Sequence, residues 1–296
     1  MALFRNKTER VPAGPRGHRA YVVGDVHGRL DLLERMIAMV EQDFAERPVR
    51  KATLIFVGDL IDRGAHSAQV VERLRTYRHR GIDTAFILGN HEEVLLRILN
   101  GETGLIDKWR SFGGRECIES YGGDEAELGR LEERVALSRI REIVPQEHVD
   151  FLMSFGDSCR FGDYLIVHAG IRPGVEFEAQ SQQDLRWIRA PFLDHPGDHG
   201  FVVVHGHTIV PEVVEAGNRI AIDTGAYRTG RLAALVIEGR ERRYLTATMP
   251  VEGAMSISDK VPSIDSARAG DYAFRPERTF ADGGRAYSIA RNDRVD

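Results

Sequence analysis

Five short stretches of this 296-residue chain set glycine beside side chains that bind cations or phosphate. They are Gly24-Asp25-Val26-His27-Gly28, Gly58-Asp59-Leu60-Ile61-Asp62-Arg63-Gly64, Gly89-Asn90-His91-Glu92, His168-Ala169-Gly170 and His205-Gly206-His207-Thr208. Asp25, His27, Asp59, Asn90, His168 and His207 offer carboxylate oxygen, amide oxygen and imidazole nitrogen. That donor mix suits Mn, Fe or Zn better than Ca or Mg, which favour shells of oxygen alone. No cysteine lies nearby, which excludes a thiolate zinc site. Six ligands are too many for one catalytic ion with open positions. They fit two divalent ions sharing one carboxylate. Two metals ~3.5–4 Å apart can clamp a nucleophile and a phosphoryl oxygen, and a hydroxide bridging them is ionised near neutral pH.

The elements around these stretches repeat. Residues 19–23, 52–57 and 84–88 read as strands, each running up to a glycine. Leu30, Leu33, Ile37 and Val40 recur at helical spacing, so 29–46 is expected as an amphipathic helix. A second helix carries Val70, Val71 and Leu74, and a third begins near Glu92. Strand–helix alternation predicts an α/β fold whose early sheet is parallel. The carboxyl ends of such strands form the crevice where ligands bind, so the five stretches are expected to converge. Residues 100–153 read as a helical insertion beside the site. A β-rich half follows, with a hairpin around Phe161-Gly162-Asp163. The mixed content predicts two β-sheets packed as a sandwich and flanked by helices. Residues 1–18 are expected as a flexible arm, 19–250 as the catalytic domain and 251–296 as a tail or arm.

Composition narrows the class. Lys plus Arg is 40 and Asp plus Glu 45, giving a net charge of −5 that offers no reason to expect nucleic-acid binding. No run approaches the ~20 apolar residues of a membrane span, and no apolar segment follows the basic start, so neither a membrane nor a secretory route is expected. Two cysteines, Cys117 and Cys159, cannot make a disulfide framework and point to a reducing cytoplasm. No motif bears on oligomeric state.

Taken together, the five stretches resemble the phosphoprotein phosphatase branch of the calcineurin-like metallophosphoesterases, whose motifs read GDxHG, GDxxDRG, GNHE, HAG or HGG, and GHT. The resemblance covers roughly residues 19 to 240, in the family's order. It implies that Asp25 and His27 hold a first metal, that Asp59 bridges both, and that Asn90, His168 and His207 hold the second. His91 resembles the general acid that protonates the leaving alkoxide, with Asp62 orienting its ring. Arg63 resembles a phosphate-binding arginine, and Arg189, after Trp187, fits a second. The chemistry agrees with these roles. Arginine's planar fork bonds two phosphate oxygens at once, and an imidazole can give up a proton at neutral pH.

The implied activity is hydrolysis of phosphoserine or phosphothreonine in proteins by a hydroxide bridging two metals, Mn with Fe or Zn as alternatives. One competing expectation is a diadenosine tetraphosphatase, although those relatives typically carry ARG in place of Asp62-Arg63-Gly64 and GNHD in place of Gly89-Asn90-His91-Glu92. Another is a non-catalytic scaffold, disfavoured because every matched ligand is present. His205 is left as a neighbour of the site. Trp109, Phe112 and Tyr121 are expected to pack. His18, His66, His79, His148, His195 and His199 are expected at the surface or in loops.

Overall fold

The computed structural model describes residues 11–250 and 286–289. Strands β1 (His18–Val23), β2 (Lys51–Phe56) and β3 (Ile82–Phe86) alternate with helices α1 (Leu30–Glu46), α2 (Ser67–Arg75) and α3 (Asn90–Leu99). Helices α4 (Ile106–Trp109), α5 (Arg115–Ser120), α6 (Glu125–Leu128), α7 (Glu133–Ile143) and α8 (Gln146–Met153) follow, with a kinked turn at Arg110–Gly114 between α4 and α5. Then come β4 (Ser158–Phe161), β5 (Tyr164–Val167), α9 (Gln182–Trp187), β6 (Val202–His205), β7 (Val214–Ala216), β8 (Arg219–Ala221), α10 (Ala226–Thr229), β9 (Arg231–Glu238), β10 (Glu241–Thr248) and β11 (Ala286–Ile289).

The strands form two mixed sheets, β10-β9-β1-β2-β3 and β11-β4-β5-β6-β8-β7. In the first, β1, β2 and β3 are parallel and β9 runs against β1. In the second, β5, β6 and β8 are parallel. Alternation along the strands builds three apolar layers. Ala20, Val22, Ile55 and Ile237 meet Phe161, Ile166, Val204 and Ile220 between the sheets. Tyr21, Val23, Leu54 and Phe56 face outward onto Leu33, Ile37 and Val40 of α1 and onto the insertion. Leu165, Val167 and Val203 face Leu185 and Ile188 on the other side. Because both faces of the inner strands are covered, β2, β5, β6 and β9 read as near-continuous apolar runs, while the edge strands β10 and β7 keep polar, exposed residues.

Differences from the expectations are local. The first strand of the expected hairpin is Ser158–Phe161, and ahead of it Gly156 exchanges backbone hydrogen bonds with Phe86 and Leu88 at the end of β3 (3.0 and 2.8 Å). His18 is buried between the sheets, 2.9 Å from Thr53 Oγ1, rather than at the surface. His148 is buried as well, 3.0 Å from the Tyr121 hydroxyl and 3.1 Å from Glu72 Oε2. Of the arm expected over 1–18, residues 1–10 lie outside the described residues. Ala13 and Gly14 donate backbone bonds to Asp163 Oδ2 (3.0 Å) and Gly239 O (2.7 Å). Of the tail expected over 251–296, only 286–289 is described, as a strand parallel to β4. Among the described residues, no helix is long and apolar enough to cross a membrane.

Candidate metal centre

The parallel strands of both sheets end on the same side, and their turns carry the motif residues. Asp25 and His27 follow β1, Asp59 to Arg63 follow β2, and Asn90 and His91 open α3 after β3. His168 follows β5, and His207 follows β6. The turns are stitched to one another. Val26 and His27 donate backbone N–H bonds to Asp59 O (3.1 and 2.9 Å), and Gly206 donates to His168 O (2.8 Å). His207 N–H reaches Asp25 Oδ2 at 3.0 Å, which links the two sheets. Such closeness needs glycine. A Cβ on Gly206 would lie 2.0 Å from Asp25 Oδ1.

Among the described residues, a positive φ outside glycine occurs at five positions: His27 (47°), Asp59 (50°), Asp62 (72°), Arg63 (67°) and His207 (60°). All five belong to the motifs. Left-handed backbone is unfavourable for residues with a Cβ and persists where surrounding contacts hold it.

Two compact groups emerge. His27, Asp59 and His91 form one, and Asp59, His168 and His207 the other, each with ligand atoms within 4.8 Å of one another. Asp59 belongs to both. The resemblance pairs Asp25 with His27, whereas the compact group holds His91 in that place. Asp25 stands close by, its Oδ1 buried without a hydrogen-bond partner. Asn90 Oδ1 sits 2.9 Å from both His168 Nε2 and His207 Nδ1.

The residues present fit divalent cations. His168 Nδ1 lies 2.9 Å from Val57 O and His27 Nδ1 lies 2.8 Å from Ile61 O. A carbonyl only accepts, so each Nδ1 carries a proton and each ring turns its Nε2 into the site, where the neutral form offers a lone pair. Burial lowers His168, but the Asp59 carboxylate carries it above the ordinary imidazole value, and its Nε2 lies 2.9 Å from Asn90 Oδ1; a bound cation would take the place of the proton held there. Asp25 Oδ1 and His207 Nε2 are buried and unpartnered.

Electrostatics favour the same chemistry. Burial alone would raise Asp59, but the His168, His91 and His27 imidazoles hold its carboxyl well below the usual range. Burial pushes Asp25 well above that range, and Asp223 and Asp59 add to the shift. Burial drives His27 and His207 well below the ordinary imidazole value, with Arg63 and His168 adding to the respective shifts. Neutral imidazoles and an anionic shared carboxylate are the protonation states that bind metal.

Beside the two groups lies a carboxylate–imidazole pair. Asp62 Oδ2 is 2.5 Å from His91 Nδ1. Arg63 places Nη1 3.2 Å from His27 Nε2 and Nη2 3.2 Å from His91 Nε2, with its guanidinium 4.8 Å from the centre of the Tyr227 ring. Arg189 is half-buried, its Nη2 3.5 Å from His207 O. His205 is fully buried, with Nδ1 3.0 Å from Gly206 O, and reaches none of the ligand groups.

Three further residues contribute without a role expected from the sequence. Glu92, wholly buried, accepts backbone N–H bonds from Asp59 (2.9 Å), Leu60 (2.7 Å), Ile61 (3.3 Å) and Gly89 (3.1 Å). Burial and Asp59 push it up to about 7, while these N–H groups favour the anion. Trp109 is buried, as expected for packing, and its indole also donates to Asp62. Asp223, pushed up to about 6 by burial, adds a carboxyl near Asp25. Only Glu92 left a sequence signal, as an acid at the start of an expected helix.

A family model described as calcineurin-like phosphoesterase matches residues 18–235. A symmetrical bis(5'-nucleosyl)-tetraphosphatase of Methylococcus capsulatus is 32% identical over 53% of this chain, a match spanning 45% of that relative's length. An asymmetrical bis(5'-nucleosyl)-tetraphosphatase of Anoxybacillus flavithermus is 27% identical, covering 77% of this chain and 94% of the relative. Serine/threonine-protein phosphatase 2 of Escherichia coli is 26% identical over 72% and 90%. A solved structure assigned provisionally as a diadenosine tetraphosphatase aligns with a TM-score of 0.56 at 19% identity, covering 80% of this chain and all of that one, a likeness of fold. With the motif turns at one end of a two-sheet sandwich and the family model spanning most of the chain, this protein belongs to the calcineurin-like phosphoesterases, a family of metallophosphoesterases.

Proposed function

We propose that the chain is a metal-dependent phosphomonoesterase that hydrolyses phosphoserine and phosphothreonine in proteins. The observation that carries this reading is the buried Asp62–His91 pair beside Arg63. A serine alkoxide is a poor leaving group and needs a proton as it departs. A nucleotide phosphate leaves as a stable anion and has little need of one.

Asp25, His27, Asp59, Asn90, His168 and His207 would hold two divalent ions, Mn by the donor mix, with Fe or Zn as alternatives. Bound there, such ions supply positive charge to the phosphoryl oxygens and lower the pKa of water. The other steps belong to the chain. Arg63 offers its planar fork to the phosphate, and Arg189 approaches from the His207 side. Asp62 accepts the Nδ1 proton of His91 and leaves Nε2 as the atom that donates to the ester oxygen. Phosphoryl transfer is mostly positioning and charge stabilisation, which these groups provide.

A second reading, hydrolysis of dinucleoside tetraphosphates, draws support from the names of the Methylococcus and Anoxybacillus relatives. Comparing kcat/KM for a phosphoserine peptide and diadenosine tetraphosphate on one metal-replete preparation separates the two. The phosphopeptide is expected to be the better substrate by at least about tenfold, and a preference of that size for the dinucleotide would overturn the leading reading.

A further inference from the structure

The insertion meets Asp62 and Arg63 through the turn from Trp109 to Gly114, and the Cys117 thiol of α5 also lies against Asp62. The Trp109 indole Nε1 donates to both oxygens of the Asp62 carboxylate, at 3.1 and 3.0 Å. Asp62 is wholly buried, and Trp109 is 2% exposed. The next residues grip Arg63, whose backbone N–H donates to Gly113 O (3.0 Å) and whose Nε donates to Phe112 O (3.3 Å). The turn is built for this contact. Gly113 has φ of 109°, and a Cβ there would meet Arg63 Cγ and N at 2.5 Å. A Cβ on Gly114 would strike the Trp109 ring at 2.5 Å. The backbone kinks at Gly113, between α4 and α5, which aims Phe112 O and Gly113 O at Arg63.

We propose that Trp109 is a positioning residue for proton transfer. Its indole N–H sets the Asp62 carboxylate so that His91 presents Nε2 to the leaving oxygen. The inference rests on the phosphomonoesterase reading. In that reaction a water oxygen forms the new P–O bond as the ester P–O bond breaks. The ester oxygen takes a proton from His91 Nε2, water loses one that restores His91 through solvent, and the products are an alcohol and inorganic phosphate. A buried tryptophan needs a hydrogen-bond partner in any protein, so the rival reading is that Trp109 merely fills the core.

The dependence on the leaving group separates these readings. The test uses the full metal-replete chain, with a phosphoserine peptide and 2,4-dinitrophenyl phosphate, whose leaving group departs without a proton. Trp109→Phe is expected to lower kcat on the phosphoserine peptide about 10- to 100-fold, a part of the ~10²–10⁴ that general acid catalysis contributes. KM should stay within about twofold, and the dinitrophenyl ester should lose less than about threefold. Benzothienylalanine placed at position 109 keeps the ring shape, lacks only the N–H, and should give the same split even if Trp109→Phe does not fold. Equal losses on both substrates, or none on the phosphoserine peptide, would overturn the proposal. A wild type inactive on the phosphoserine peptide would sink the phosphomonoesterase reading and this inference with it.

Discussion

Asp62 and His91 are joined by a 2.5 Å contact between Oδ2 and Nδ1, with both side chains out of water. The carboxylate fixes the imidazole tautomer, with Nδ1–H donating to Asp62 Oδ2 and Nε2 turned away from it. Asp62→Asn keeps the shape and removes the charge. It is expected to lower kcat on a phosphoserine peptide about 100-fold while metal content, read by elemental analysis, stays unchanged. Near-wild-type turnover would show that the pair does not assist the leaving group.

Metal removal gives a second prediction. After exhaustive chelation the chain should stop hydrolysing p-nitrophenyl phosphate, and Mn should restore it. Metal that binds only the folded chain also stabilises it, by about 2.7 kcal/mol at a free concentration 100 times Kd, and so raises the melting temperature. Full activity after verified removal would contradict the metal centre.

His205 makes the metal-free protein sensitive to acid. Burial pushes its imidazole down to about 4, against about 6.5 in an unfolded chain. Between those values the unfolded chain binds a proton that the folded one refuses. Stability is therefore complete above about 6.5 and falls as pH drops towards 4, by about 3 kcal/mol for this group. His27 and His207 are lowered too, so His205→Phe should reduce the pH slope without removing it. Urea midpoints of the chelated protein at pH 7 and pH 5 would measure this, and an unchanged slope in the variant counts against it.

Glu92 accepts four backbone N–H groups, three of them from the turn that carries Asp59. In Glu92→Gln one oxygen becomes an amide NH2 that faces those donors. Hydrogen bonds to a charged group contribute ~1.5–3 kcal/mol each, and a buried donor left unpaired costs ~1–3. The variant should lose roughly 2–4 kcal/mol in urea unfolding. It should also bind metal more weakly, since Asp59 shares the turn. Unaltered stability would mean that the amide is accommodated.

What could be read from the sequence was what is local. A strand, a glycine and a ligand recur within a few residues, and the geometry of a parallel sheet brings those ends together without further information. Trp109 shows the limit. Its burial was legible, but its partner Asp62 lies 47 residues away, across helices whose packing no periodicity encodes. His18 and His148 lacked motif partners and read as surface residues. Their partners, Thr53 and the pair Tyr121 and Glu72, are likewise distant in sequence. Glu92 was visible as a motif letter, but its role depends on where the Asp59 turn lies in space.

The six proposed ligands come from both sheets: Asp25, His27, Asp59 and Asn90 from turns of one, His168 and His207 from the other. Cations held by all six would act as a rivet through the sandwich. Grip on the metal then becomes a gauge of how the sheets sit together. A repacked residue between them, such as Phe161, could loosen the rivet from a distance without touching a ligand.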